Sequence, residues 1–231
     1  MKFSITEKPG KKIVGIHHKG RNDILIIICN DKGATKDSGI IKGLAEGLSK
    51  KGSSVVRFDF LGTGESSQSK GIFIRQMVED IDAVAECFHH YQTIILLGGS
   101  LGALPAVISS FTNPKISGLV TVNGFFGTGK LDSKHKRLYF FYRLLMLISP
   151  RHRKDFQYWR ENYHPEKLTV PTLVIYTKAD RVVNPVQSTD FYSQLRSSKK
   201  KKLAQLPLLK HNLTGKGDVG KVVEAIDSWM T

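Results

Sequence analysis

Residues Gly98-Gly99-Ser100-Leu101-Gly102 form a G-x-S-x-G pentapeptide between the apolar run Ile94-Ile95-Leu96-Leu97 and a helical pattern that begins at Ala103. This placement restricts the fold strongly. A short, uninterrupted and partly β-branched run suits a parallel strand buried on both faces, while Leu101, Ala103, Leu104, Val107 and Ile108 recur at helical spacing. A strand that turns at once into a helix holds the intervening serine on a tight turn, and the residues two positions to either side must be small to avoid collision. Gly98 and Gly102 meet that demand. The competing reading is a glycine-rich strand-to-helix connection whose serine only caps the helix.

Elements on either side of the pentapeptide alternate between strand and helix patterns. Phe3 to Thr6 and Lys12 to His18 read as edge strands joined through Pro9-Gly10, and the β-branched run Ile24 to Cys29 reads as a central strand. A helix from Asp37 or Ser38 to Leu48 places Ile40, Ile41, Leu44 and Leu48 on one face, with Gly52 beyond its end. The strand Val55 to Phe58 follows, then a long helix from about Phe73 to His89. After the pentapeptide helix come the strand Gly118 to Val122, an irregular region to about Leu168 and the strand Thr172 to Tyr176. A helix from Pro185 to Leu195, a strand from Lys202 to Leu206 and an amphipathic helix from Val219 to Met230 close the pattern. Such alternation specifies an α/β fold with a mostly parallel central sheet flanked by helices, in which functional groups gather at the carboxyl ends of the strands. The length, 231 residues, suits one domain spanning 1–231, with no internal repeat.

A serine hydroxyl attacks an acyl carbon only with a general base beside it, and that base needs an acid to fix its tautomer and stabilise its charged form. Asp180 lies just beyond the strand Thr172 to Tyr176, and His211 is the only histidine downstream of it, between the last strand and the last helix. Ser100, Asp180 and His211 therefore occur in the order that a strand-ordered triad requires. Taken singly, Asp180 also reads as a turn former before Pro185, and His211 as an exposed loop histidine. His17-His18 and His89-His90 are adjacent pairs with diverging side chains. No metal-ligand spacing appears, and the chemistry expected of this serine uses neither a metal nor a cofactor.

These residues resemble the α/β-hydrolase superfamily, and the resemblance covers nearly the whole chain. Asp59-Phe60-Leu61-Gly62-Thr63-Gly64-Glu65-Ser66 matches the D-x-x-G-x-G-x-S loop common after the fourth strand of that family. It reads as a turn supporting the site, because a dinucleotide fingerprint needs a third glycine and a helix opening there. The chain is most similar to small bacterial carboxylesterases of the cinnamoyl or feruloyl esterase-like and monoacylglycerol-lipase-like groups. The resemblance implies a small helical lid insertion at 124–164 and an oxyanion hole formed by the amide of Leu101 and, by position, that of Lys32. Relatives usually carry His-Gly after the third strand, whereas this chain reads Asn30-Asp31-Lys32-Gly33. Asp31 opposes a developing negative charge, although a backbone amide donates whatever side chain it bears.

The expected activity is hydrolysis of small-molecule carboxylic esters with hydrophobic or aromatic acyl groups through an acyl-enzyme on Ser100. Alternatives are an acyl-thioesterase or lipid hydrolase at a membrane surface, a peptidase, and a non-catalytic binding or effector protein on the same fold. The formal charge of +15 draws anionic partners, and eight Lys or Arg against one acid between Lys130 and Lys154 flank an apolar stretch from Leu138 to Ile148. That pattern suits peripheral contact with anionic membrane as well as a solubilising rim. Nucleic acid is not an expected partner, since no zinc-finger, RNP or heptad-linked basic pattern accompanies the charge. Cys29 and Cys87 read as buried small hydrophobes, and with no secretory h-region at the start the expected location is cytoplasmic.

Overall fold

The computed structural model describes residues 1–8, 10–31, 33–69, 71, 73–127 and 149–231. Eight strands form one sheet in the order β1-β2-β4-β3-β5-β6-β7-β8. They span Lys2–Lys8, Lys11–His18, Ile24–Cys29, Ser54–Phe58, Thr93–Gly99, Ile116–Val122, Thr172–Tyr176 and Lys201–Gln205. The pairs β1–β2 and β2–β4 are antiparallel, and every pairing from β4 through β8 is parallel. The run Ile24 to Cys29 does lie in the centre, between β4 and β5. The segment Lys12 to His18 is not an edge strand, however: β2 is covered on one side by β1 and on the other by β4. Its burial follows from this pairing, with Ile13 at 0 % exposure.

The helices are α1 (Gly39–Lys50), α2 (Ile74–Cys87), α3 (Ala103–Thr112), α4 (Pro150–Asn162), α5 (Val186–Gln194) and α6 (Asp218–Met230). Because side chains alternate across a strand, β3 feeds two cores. Leu25, Ile27 and Cys29 pack with Met77, Ile81 and Val84 of α2 and with Ala106 and Val107 of α3. Ile26 and Ile28 face the other way, toward Leu44 and Leu48 of α1 and Val222 and Ile226 of α6. Burying each such aliphatic side chain contributes about 1.5–3 kcal/mol, so a central strand apolar on both faces fixes both layers at once.

Within the expected insertion, residues 128–148 lie outside the described residues, and with them the apolar stretch Leu138 to Ile148. Its later part is α4, where the sequence pattern suggested irregular chain. Pro150 occupies the first turn of α4, where its missing N–H costs nothing. Asp155, 6 % exposed, accepts hydrogen bonds from the amides of Ile74 at 3.1 Å and Arg75 at 2.9 Å, so α4 caps the N-terminus of α2. Cys29 is buried as expected, but Cys87 is exposed, because it ends α2 on the solvent side. The lysine run near β8 is exposed, with two of its members in contact with neighbouring elements: Lys200 Nζ donates to the Trp229 carbonyl at 3.2 Å, and Lys201 Nζ sits 4.9 Å from the Tyr192 ring centre. Among the described residues no helix is long and apolar enough to cross a membrane.

Candidate active site

β5 runs through Gly99 and the chain turns at Ser100 directly into a single 3-10 turn and α3. Ser100 has φ +48°, a left-handed conformation that costs a non-glycine residue on the order of 1–3 kcal/mol. The turn is held by its neighbours. The Phe125 amide donates to the Ser100 carbonyl at 2.9 Å. A Cβ on Gly98 would lie 2.6 Å from the Ala103 Cα, and one on Gly102 would lie 2.3 Å from the Cys29 carbonyl oxygen. The small residues at those positions thus let β5, the turn and the end of β3 approach closely enough to present the serine at the carboxyl edge of the sheet.

The structure brings Asp180 and His211 to the same edge. His211 Nδ1 lies 2.7 Å from Asp180 Oδ2, and His211 Nε2 lies 3.1 Å from Ser100 Oγ. An ionised carboxylate only accepts, so Nδ1 carries the proton and Nε2 is free to accept the serine hydroxyl. The other carboxylate oxygen of Asp180 accepts the amides of Val182 at 2.8 Å and Val183 at 3.0 Å, which fixes its direction. The side chains of His211 and Asp180 are only 6 % and 2 % exposed. In a site so shielded from water this hydrogen bond is stronger than it would be at the surface.

Asn123, which the sequence reading did not single out, joins the two loops that carry these groups. It ends β6 with φ +47° and is 2 % exposed. Its carboxamide oxygen accepts the Thr177 amide at 3.2 Å, and its Nδ2 donates to the His211 carbonyl at 3.3 Å. The available signal was an asparagine before a glycine at a strand end, since asparagine tolerates the left-handed region better than most residues. Asp218 secures the far side of the base loop. It accepts the amides of Lys210 at 3.0 Å and Gly215 at 2.9 Å from the first turn of α6.

On the opposite side of Ser100 the chain leaves β3 through Asn30, whose Nδ2 donates to the Phe58 carbonyl at 2.7 Å. The amide of Leu101, expected to face a developing oxyanion, donates to Asp31 Oδ1 at 3.3 Å. Lys32, the other expected donor, lies outside the described residues. A cavity of about 380 Å³ opens beside Ser100 and His211. Its walls include Ile28, Ile40, Ile41, Leu44, Val122 and Leu213, so the apolar space lies between α1 and the base loop; no residue of the 124–164 insertion lines it among those described.

The loop after β4 supports this edge from below. Asp59, fully buried, accepts the amides of Lys36 at 2.7 Å and Glu65 at 2.9 Å. Lys36 is 1 % exposed, with its ammonium 3.1 Å from Asp59, 2.7 Å from Asp37 and against Glu65. Burial works against its charge, but the hydrogen bonds it donates to Asp37, Glu65 and Asp59 outweigh that and push its pKa up. The next helix, α2, starts only at Ile74, so the glycines here shape a turn and do not open a helix. Among the described residues no cluster of three or more His, Cys, Asp or Glu could hold a metal ion.

No curated protein matches this sequence. Solved structures do. A monoacylglycerol lipase of Paleococcus ferrophilus has 20% sequence identity and a TM-score of 0.74, over 94% of this chain and 99% of that one. An esterase of Pyrococcus furiosus has 18% identity and a TM-score of 0.78, over 100% of this chain and 91% of that one. Est1E of Butyrivibrio proteoclasticus, solved with ferulic acid bound, has 18% identity and a TM-score of 0.72, over 99% and 97% of the two chains. At these identities the likeness shows a shared fold, the α/β-hydrolase fold that the motifs implied. The family model described as serine aminopeptidase, S33, matches residues 21–164, a span that holds more than half of the sequence and includes the strand, serine and helix around Ser100, and the chain belongs to that family of α/β hydrolases.

Proposed function

We propose that the protein is a serine hydrolase of carboxylic esters with hydrophobic or aromatic acyl groups. The observation that carries the reading is the continuous line from Asp180 through His211 to Ser100 beside an apolar cavity. Ser100 Oγ attacks the acyl carbon while its proton passes to His211 Nε2, and the carbonyl oxygen gains the negative charge. Collapse of that intermediate breaks the bond to the leaving alcohol, which takes the proton from His211. Water then attacks the acyl-enzyme by the same route, its proton passing through His211 back to Ser100 Oγ as the carboxylic acid departs. Asp180 holds the imidazole in the required tautomer throughout, and the Leu101 amide is the oxyanion donor on the serine side.

Ester substrates are favoured over peptides by the aliphatic walls of the cavity, and the ferulic acid bound to Est1E supports an aromatic acyl group. The test is labelling by a fluorophosphonate probe together with turnover of p-nitrophenyl butyrate. The wild type is expected to label and turn over, and Ser100→Ala and His211→Ala each to lose turnover by about 10⁴–10⁶-fold. A wild-type protein that neither labels nor hydrolyses activated esters would rule the reading out. Parallel assay of a p-nitroanilide separates esterase from amidase action.

A further inference from the structure

The loops that carry Asp180 and His211 hold more than those two side chains. β7 and β8 are parallel neighbours that end in register, with Tyr176 opposite Gln205 and the Leu206 amide donating to the Tyr176 carbonyl at 2.8 Å. Residues 177–186 and 206–217 therefore leave the sheet side by side, and the 2.7 Å contact between His211 and Asp180 ties them together. These stretches contain Lys178, Arg181, Lys210 and Lys216, all exposed, against one acid, Asp180, whose side chain is buried against His211. Farther along the same edge of the sheet the charge is offset, since Lys36 lies among Asp37, Asp59 and Glu65.

Apolar side chains are interleaved with these cations. Of the five large hydrophobic residues that are well exposed among those described, three, Val182, Val186 and Leu208, lie in the same two stretches. Leu208 is the clearest case. Its side chain is 81 % exposed and so adds little to the core, yet its backbone has φ +60°, a left-handed conformation that strains a leucine. Glycine or asparagine would hold that turn more cheaply. A strained turn that presents an unburied leucine two residues before Lys210 offers its side chain to something outside the molecule. Long cationic side chains set among short apolar ones fit a lipid surface with negative headgroups, where the charges meet phosphate and the apolar tips reach the acyl boundary. Nucleic acid would take the cations but gains nothing from aliphatic tips, and neither stretch holds a Phe, Tyr or Trp on which a base could stack.

We propose that this rim docks the protein on an anionic membrane surface, with Leu208, Val182 and Val186 entering the headgroup layer and Lys178, Arg181, Lys210 and Lys216 set against the lipid phosphates. Docked in this way, the edge that carries Ser100 and His211 faces the lipid. Adsorption needs no turnover, so its failure and failure of the Ser100 reading are separate results. The test is sedimentation with phosphatidylcholine vesicles containing about one third phosphatidylserine, beside vesicles of phosphatidylcholine alone. The wild type is expected to bind the mixed vesicles about tenfold or more the tighter, and to lose about tenfold as salt rises from about 0.05 M to about 0.5 M. Leu208→Asn is expected to weaken that binding about tenfold while Tm holds or rises, because asparagine suits the turn that leucine strains. Lys178→Gln with Lys210→Gln is expected to weaken it about 10- to 30-fold. Lys199→Gln with Lys202→Gln removes the same charge from the exposed run at the other end of β8, and is expected to change binding less than about threefold. Circular dichroism melts confirm that each variant folds. Equal binding of the wild type to both kinds of vesicle, undiminished binding by Leu208→Asn, or equal losses from the two lysine pairs overturns the proposal, the last by showing that total charge and not this rim draws the protein to lipid.

Discussion

The two sides of Ser100 are built by different means. On the proposed proton-transfer side the acting groups are side chains, and each is directed by several bonds: Asp180 by two amides, the His211 loop by Asn123 and Asp218. On the proposed oxyanion side the acting group is a backbone amide, which works whatever side chain its residue bears. Asn30-Asp31 stands there in place of the His-Gly that the family resemblance implies, with the left-handed turn at Ser100 formed all the same. Side-chain chemistry constrains residue identity, whereas backbone chemistry constrains only where the chain passes. Selectivity can therefore be altered on the second side while the first is retained.

The contact between the two sides is the most fragile point. Gly102→Ala places a methyl group 2.3 Å from the Cys29 carbonyl, between backbones that cannot both yield, and is expected to destabilise the fold by about 3 kcal/mol or more. Gly99→Ala, only three residues away, meets nothing within 4 Å and is expected to leave the denaturant midpoint nearly unchanged. Equal midpoints for the two variants would show that the sides do not depend on this approach.

Asn123→Ala loosens the proton-transfer side alone. It removes the bridge between the Thr177 amide and the His211 carbonyl, and kcat is expected to fall about 10- to 100-fold with little change in KM. Asn123→Asp keeps the acceptor for Thr177 and loses the donor to His211, so most of the loss should remain. A fall in KM-dependent binding instead would place Asn123 in the cavity wall.

The smallest expected effect separates acid unfolding from titration of the site. Burial lowers the pKa of His17 and of His18, aided by the nearby N-terminal ammonium and by Arg57 respectively. A histidine with a depressed folded-state pKa must be protonated more readily in the unfolded chain, so stability is full above the ordinary value of about 6.5 and declines as pH falls below it. Lowering pH from 7.5 to 5.5 should therefore lower Tm, with His17→Asn reducing the loss. An acid-insensitive Tm would contradict this, and any decline in activity over that range would then belong to the site itself.

The alternation of elements and the serine turn were legible because strand and helix periods, glycine sterics and chain order leave direct marks in a sequence. The order of strands within the sheet leaves a weaker one. Lys12 to His18 carries the mixed pattern of an edge strand, yet β1 folds over it and covers it. Cys87 falls in an apolar-periodic helix, but position in the last turn decides its exposure. Neither the meeting of Asp31 with Leu101 nor the bridge made by Asn123 has a period or a spacing, since both join residues far apart in the chain. A buried lysine such as Lys36 is also hard to foresee, because its partners Asp59 and Glu65 come from a different loop.

The separation of 111 residues between Ser100 and His211 has a consequence for synthesis of the chain. At about 5–20 residues per second, a ribosome exposes the serine roughly 6–20 seconds before the histidine can follow. Through that interval the nascent polypeptide holds a hydroxyl with no base, on a sheet that still lacks its last strand and closing helix. On the proposed mechanism hydrolytic power arrives only as folding finishes, and regain of probe labelling on refolding is expected to report completion of the molecule.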